Sequence, residues 1–320
     1  MKLAVWDPDE PFRRWRDALA QHAGELRLAV EVFDAVEQPD EQADFALVWK
    51  PPAEWLAGQQ ELRAVFNLGA GVDALLPLMR AHAPQVPLIR LEDAGMGRQM
   101  ADYVAEAVLH AYRRMDDYAA LQAHGTWEPL VLAHRTGFGV GFLGLGHMGL
   151  AAARRVQAME FPVLACTRSG TPRAATAAGT AFDGPVYGID RLYEFLAHCR
   201  VLVVLLPLTA DTHGLLDYGA LSQLPRGAYV INAGRGAALR EQDLLDLLDQ
   251  QHLGGATLDV FETEPLPPDH PLWSHPRVRI TPHVAAQTLV GPAAAQIMRK
   301  IAALERGDAP GGIVDARLGY

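Results

Sequence analysis

The chain has too few cysteines for a covalent framework: Cys166 and Cys199 are its only two in 320 residues. Both sit inside apolar runs, so counting excludes a disulfide scaffold and a cysteine-based zinc site, and buried thiols are expected. Positive charge is scarce as well. Lys and Arg total 28 against 38 Asp and Glu, a formal net charge of −10, the wrong sign for general attraction to nucleic acid or an anionic membrane. An anionic substrate therefore needs a local basic site. No run approaches the ~18 apolar residues of a membrane span, and MKLAVWDPDEPF lacks the apolar stretch of a secretory signal. A cytoplasmic protein without nucleic-acid or membrane partners is expected. Serine hydrolysis finds no G-x-S-x-G and metal-assisted hydrolysis no H-E-x-x-H. His270 and His275, on either side of Trp273 in a Pro-containing loop, read as surface or packing groups, and no metal site is expected.

What is present is a globular composition, with 50% hydrophobic and 21% charged residues and 29 Gly and 22 Pro spread along the chain. The length is about twice a ~150-residue domain, so two domains are expected. Short apolar runs at Leu3–Trp6, Leu28–Phe33, Phe45–Trp49, Ala64–Leu68 and Pro87–Leu91 alternate with helix-compatible stretches, the pattern of a parallel α/β sheet. From Arg98 to Gln122, Met100, Tyr103, Val104, Ala107, Val108, Ala111, Tyr112 and Met115 form one apolar stripe uninterrupted by Gly or Pro, which predicts one long helix. A second series follows. Strands are expected at Val140–Leu143, Val163–Cys166, Val201–Leu206, Ala228–Ala233, Ala256–Phe261 and Val278–Ile280. Helices are expected at Ala151–Met159, after Asp190, at Glu241–Gln250 and at Ala293–Arg306. Repeated strand–helix units favour doubly wound sheets, which bind ligands at the carboxyl ends of their strands.

The pattern G-x-G-x-x-G occurs twice, overlapping, as Gly139-Val140-Gly141-Phe142-Leu143-Gly144 and Gly144-Leu145-Gly146-His147-Met148-Gly149. A dinucleotide site needs a strand before the first glycine and a helix opening near the third, because the pyrophosphate sits on exposed helix N–H groups. Only the second register has both. There Gly144 permits the tight turn, Gly146 lets the backbone approach phosphates, and Gly149 packs helix on sheet. The acid that usually holds the ribose hydroxyls after the second strand is missing. Val163–Cys166 runs into Thr167-Arg168-Ser169, and Arg168 would attract a 2′-phosphate where a carboxylate would repel it. NADP(H) is the expected cofactor, with NAD(H) left open as the weaker one.

Downstream, Arg235, Glu264 and His283 each follow an apolar strand of the same sheet and are expected to converge on one crevice. Reduction of a 2-keto acid needs a proton donor titrating near neutrality, a group that keeps it protonated, and a cation for carboxylate and developing alkoxide. His283, Glu264 and Arg235 suit these roles in that order.

Here the sequence resembles the D-isomer-specific 2-hydroxyacid dehydrogenases, and more closely their glyoxylate/hydroxypyruvate reductase A branch. The resemblance runs from about Phe45 to the C-terminus through ALVWKPPAEWLAG, FNLGAGVDALL, LEDAGMGRQMADY, GFLGLGHMG, LPRGAYVINAGRG, LDVFETEPLPPDHPLWSHPRV, TPHVAA and IVDARLGY. It implies that Arg235, Glu264 and His283 are catalytic and that main-chain N–H groups of Ala70 and Gly71 hold the substrate carboxylate. It further implies that Asp259 orients the nicotinamide and that Leu206-Pro207 lines the cofactor cleft. The cofactor set is then Gly144, Gly146, His147, Met148, Gly149, Thr167, Arg168, Ser169, Leu206, Pro207, Ala233 and Asp259, with Arg235 and His283 facing both ligands.

The implied fold is two Rossmann-like domains. A discontinuous, flavodoxin-like substrate domain takes 1–101 plus 289–320, and the dinucleotide domain takes 102–288. The implied partner is a second copy of the chain, joined through Arg98–Val131, with Trp127 reaching the neighbour's site. Two departures stand out. Gly234 replaces a common alanine and is expected to loosen that turn, and Gly170-Thr171-Pro172-Arg173 is less basic than the branch pattern. Glyoxylate and hydroxypyruvate are the implied substrates, reduced to glycolate and D-glycerate. D-lactate, phosphoglycerate or formate dehydrogenases and a non-catalytic dinucleotide sensor are the competing readings.

Overall fold

The computed structural model describes residues 1–171 and 182–319. Pro172 and Arg173, and Tyr320 of the last motif, lie outside the described residues. The chain divides into two compact units, Met1–Met96 with Thr288–Tyr320 and Gly97–Gln287.

In the first unit the chain runs β1 (Lys2–Trp6), α1 (Phe12–Glu25), β2 (Glu31–Asp34), β3 (Phe45–Val48), α2 (Ala53–Gly58), β4 (Ala64–Asn67), α3 (Leu75–His82) and β5 (Leu88–Arg90). The sheet order is β2-β1-β3-β4-β5, with every pair parallel. The chain reverses its direction of travel across the sheet between β1 and β3, which is the flavodoxin-like switch. β3 and β4 are buried at every position, as strands covered on both faces must be, and this is why they read as unbroken apolar runs.

The second unit takes α4 (Met96–Tyr112), α5 (Met115–Ala123), β6 (Val140–Leu143), α6 (His147–Ala158), β7 (Val163–Thr167), β8 (Val186–Gly188), α7 (Leu192–Ala197), β9 (Val201–Val204), α8 (Tyr218–Leu221), β10 (Ala228–Asn232), α9 (Glu241–Asp249), β11 (Leu253–Leu258) and β12 (Val278–Ile280). The returning helix α10 (Val290–Glu305) packs on α1 in the first unit. The seven-stranded order is β12-β11-β10-β9-β6-β7-β8, all parallel. From β6 the chain travels outward to β8, returns to β9 beside β6, and then travels the other way. The switch point therefore lies between β6 and β9. One face is covered by apolar residues of α4 and α6, among them Val104, Val108, Ala152 and Val156. The other is covered by α7, α8 and α9 through Phe195, Leu221 and Leu244. Cys166 and Cys199 are buried and free.

Two expectations are corrected. The single helix over Arg98–Gln122 is two helices, broken at Arg113-Arg114. Arg114 adopts the left-handed conformation, φ 57°, its N–H bonds the Ala111 carbonyl at 3.1 Å, and its guanidinium holds Asp117 at 2.7 Å in the first turn of α5. The apolar stripe survives as far as the break: Met100, Val104, Val108 and Tyr112 are buried, whereas Met115 is exposed. The strand placed at Ala256–Phe261 starts three residues earlier, at Leu253, because Gly254 and Gly255 leave room for the Gly227 carbonyl and the Tyr229 ring.

Candidate active site

The turn after β6 sits at the switch point. Gly144 has φ +102°, closed to most residues with a Cβ, and a Cβ there would stand 2.8 Å from the Leu205 carbonyl oxygen at the end of β9. A Cβ on Gly149 would overlap the Gly144 carbonyl, so helix and turn close on each other. Around Gly146 the position of a Cβ meets nothing within 4 Å. Gly146 caps α6 without any side-chain hydrogen bond, and no acid stands in the first turn. The helix thus presents its positive end at an open backbone position, a geometry suited to a pyrophosphate. The glycines peculiar to the other register pack instead: a Cβ at Gly139 would stand 2.6 Å from the His198 carbonyl oxygen, and one at Gly141 would overlap Cys199 Sγ.

Near this turn, His147 is exposed and Met148 half-buried. Leu206 is half-buried, Pro207 is exposed, and Ala233 is buried at the end of β10. At the end of β7, Arg168 and Ser169 are exposed, and the hydroxyls of Thr167 and Ser169 bond Thr171 at 3.1 and 2.7 Å.

Beyond β10 the sequence Asn232-Ala233-Gly234-Arg235-Gly236 makes a sharp turn. Asn232, buried at the strand end, fixes it by accepting from Gly234 N–H at 3.2 Å and donating to the Arg235 carbonyl at 3.2 Å. Gly234 does not loosen this turn. It lets the backbone of Leu205 and Leu206 come within 2.9–3.0 Å of where a Cβ would stand. Gly236 lies against the backbone of Phe261 so closely that a Cβ would overlap it. Phe261 N–H in turn donates to Glu264 Oε1 at 3.1 Å. Gly236 thereby brings the Arg235 turn onto the Glu264 turn, while Gly234 seats it against the end of β9.

His283 follows β12 in the left-handed conformation, φ 56°, unusual for a residue with a Cβ. Its N–H donates to the carbonyl of Asp259 at 2.8 Å. The Asp259 side chain, 1% exposed, accepts from Thr281 Oγ1 at 2.6 Å, Val284 N–H at 2.8 Å and Ala285 N–H at 2.9 Å. Asp259 therefore organises the loop that carries His283. The imidazole Nδ1 lies 2.8 Å from Glu264 Oε2. Because a carboxylate only accepts, Nδ1 carries the hydrogen and Nε2 is left for a substrate; no described residue bonds it.

Burial pushes the Glu264 carboxyl up, but the bonds from His283 and Phe261 and the charges of His283 and Arg235 outweigh it and hold Glu264 below the ordinary carboxylate range. Glu264 stays ionised, and both the imidazole and the guanidinium act on it. His283 and Glu264 are in contact, and the charge of Arg235 reaches Glu264. Arg235 is half-buried, and its Nη1 donates to the Gly234 carbonyl at 2.9 Å. His270 and His275 face the carboxylates of Glu241 at 3.2 Å and Asp249 at 3.5 Å.

In the first unit, Asn67 at the end of β4 donates to the carbonyls of Gly69 at 2.8 Å and Gly71 at 2.7 Å. The N–H groups of Ala70 and Gly71 have no partner among the described residues, which leaves them available to an anion. Sequence reasoning passed over Asn67, Asn232 and Thr281. For the two asparagines a signal existed: a polar residue closing an otherwise apolar strand just before a Gly-rich turn.

Residues 105–285, more than half of the chain, match the D-isomer specific 2-hydroxyacid dehydrogenase NAD binding domain. The chain belongs to the D-isomer specific 2-hydroxyacid dehydrogenases. A member from Xanthobacter autotrophicus Py2, in complex with NADPH and MES, is 36% identical to this dehydrogenase with a TM-score of 0.89, over 100% of this chain and 99% of that one. An NADPH-dependent glyoxylate/hydroxypyruvate reductase from Sinorhizobium meliloti, in complex with NADP and sulfate, is 33% identical with a TM-score of 0.89, over 100% of both chains. A probable 2-hydroxyacid dehydrogenase from Rhizobium etli CFN 42, in complex with NADP, HEPES and L(+)-tartaric acid, is 29% identical with a TM-score of 0.85, over 100% of this chain and 99% of that one. Among the described residues no helix of this dehydrogenase is long and apolar enough to cross a membrane.

Proposed function

We propose that the protein is an NADPH-preferring reductase that converts glyoxylate and hydroxypyruvate to glycolate and D-glycerate. The observation that carries this reading is the 2.8 Å bond between His283 Nδ1 and an ionised Glu264 that also feels the charge of Arg235. When bound, the reduced nicotinamide supplies the hydride to C2 of the keto acid. His283 Nε2 gives the proton to the carbonyl oxygen, Glu264 stabilises the imidazolium before transfer, and Arg235 pairs with the substrate carboxylate and the oxygen on which charge develops. The N–H groups of Ala70 and Gly71, which have no partner among the described residues, are our candidates for contacting a substrate carboxylate. The remaining acceptor capacity of Asp259 is our candidate for the nicotinamide carboxamide. A panel of small 2-keto acids with both reduced nicotinamides tests the reading; cofactor binding without keto-acid-dependent oxidation would leave a dinucleotide sensor instead.

Glu264→Gln is expected to move the alkaline limb of the reduction profile to lower pH. The active form is the imidazolium, a neighbouring negative charge favours it, and glutamine removes that charge. A limb that stays in place takes Glu264 out of this role.

Arg168, exposed where β7 ends, supports NADPH as the cofactor, as do the NADPH and NADP bound by the Xanthobacter and Sinorhizobium relatives. A charge-assisted bond to the 2′-phosphate is worth about 1.5–3 kcal/mol. Arg168→Ala is therefore expected to cut kcat/KM for NADPH by roughly 10- to 100-fold and leave that for NADH unchanged. Equal wild-type values for the two cofactors would refute the assignment.

We read 98–131 as the surface for a second copy of the chain. Trp127 is 100% exposed, Val131 85%, and α5 buries none of its residues, an apolar display that a lone subunit would leave in water. Sedimentation equilibrium is expected to give a dimer, and a monomer at micromolar concentration removes this reading.

A further inference from the structure

One stripe of α4 carries polar groups at the border of the core, with the Tyr103 ring packed against it. Gln99, Tyr103 and Glu106 follow one another at spacings of four and three, which puts them on one helix face. Their partners are regular too, since Arg279 and Thr281 are two apart, on and just beyond β12, and so share a side of the extended chain. Glu106 forks onto Arg279 at 3.0 and 3.2 Å. Tyr103 Oη meets Thr281 Oγ1 at 2.7 Å. Gln99 donates to the Gln287 carbonyl at 2.8 Å and accepts from its N–H at 3.2 Å. The segment held this way, from 279 to 287, contains His283.

The Tyr103 link has a chemical direction. The Asp259 carboxylate only accepts, so Thr281 gives its single hydroxyl proton to Asp259 across 2.6 Å. Thr281 is then the acceptor and the Tyr103 phenol the donor. Burial, only partly opposed by the Thr281 bond, pushes that phenol up to about 12, so it keeps its proton throughout the neutral range. Asp259 spends its side chain on the N–H groups of Val284 and Ala285 and its carbonyl on that of His283. The hydrogen-bonded chain therefore runs from α4 to the residues on both sides of the left-handed turn. The charged groups at its far end are Glu264, in contact with His283, and Arg235, which acts on Glu264.

We propose that Tyr103 is a positioning residue for the proton donor: its hydroxyl orients Thr281 on Asp259, and Asp259 holds the backbone turn that keeps His283 on Glu264. The proposal rests on the reading of His283 as that donor. Tyr103→Phe keeps the ring and its packing and removes only the oxygen. It is expected to lower kcat about 10-fold, as small misplacements of a reacting group do, to leave the KM for NADPH unchanged, and to shift the alkaline limb of kcat to lower pH as the imidazolium loses part of its hold on Glu264. Thr281→Val breaks the same link from the other end and should reproduce both effects. The double variant should be no worse than the more impaired single variant, because one link is lost only once. Glu106→Gln is the control: it loosens the same stripe at Arg279 and should lower the melting temperature without moving the limb. A wild-type limb in both Tyr103→Phe and Thr281→Val, losses that add in the double variant, or a limb that moves equally in Glu106→Gln would overturn the proposal. Should Tyr103→Phe not fold, Thr281→Val carries the same test. Failure of the underlying reading looks different, since His283→Gln would then keep its turnover whatever happens at Tyr103.

Discussion

His283→Gln is expected to lower kcat by about 10³-fold while NADPH still binds with its wild-type affinity. The magnitude follows from the role: a positioned general acid contributes 10²- to 10⁴-fold, and glutamine offers an N–H of similar reach that cannot release its proton to an alkoxide. The imidazole is well placed for the task. Its Nδ1 is committed to Glu264 at 2.8 Å, which fixes the ring and leaves Nε2 as the only proton it can deliver. The left-handed backbone at His283 is a cost the fold carries, since φ 56° is reached by residues with a Cβ at about 1–2 kcal/mol, and glutamine bears the same cost. The melting temperature should therefore stay near wild type, separating lost chemistry from lost structure. The measurement pairs steady-state reduction of glyoxylate with a fluorescence titration of NADPH. Turnover within about tenfold of wild type would mean that the proton comes from elsewhere.

Much of this arrangement was legible in the sequence, for a physical reason. Strands of a parallel sheet covered on both faces must be apolar throughout, so β3, β4, β6, β9 and β10 announce themselves as runs, and each is buried at every position. β8 has only half-buried residues, carries no such run, and escaped notice. The break at Arg114 also escaped, because arginine gives no warning of a left-handed turn; what stabilises it is the bond to Asp117, a pairing that exists only once the chain has turned. The site shows the same division. Arg235, Glu264 and His283 stand out as ionisable side chains just past apolar strands, where the topology gathers strand ends together. The residues that aim them do not stand out. Asp259 bonds partners 22 to 26 positions away, and Tyr103 meets Thr281 across 178. Local pattern encodes which residues stand at the strand ends, and the return of distant loops encodes how they are held.

Arg235→Ala should lower kcat/KM for glyoxylate by about 10³-fold, with both kcat and KM affected. Bonds from a guanidinium to charged oxygens are worth about 1.5–3 kcal/mol each, and two of them account for roughly that factor at 1.4 kcal/mol per tenfold. The split between the constants follows from when the charge is needed. The substrate carboxylate is charged before and during reaction, so losing its partner raises KM. The carbonyl oxygen gains charge only as hydride arrives, so losing its partner lowers kcat. A second effect works in the same direction. The Arg235 charge is one of the influences that keep Glu264 ionised against burial, and without it the carboxyl titrates at higher pH. Protonated Glu264 no longer supports the imidazolium, so the acid limb of the variant's profile should begin at higher pH than in the wild type. Arg235→Lys is expected to recover about tenfold of the loss, restoring a point charge but not the planar fork. The decisive pattern is the combination. A rise in KM with kcat and the acid limb unchanged would confine Arg235 to holding the carboxylate, and the geometry that couples guanidinium, carboxylate and imidazole would then have no part in the chemical step.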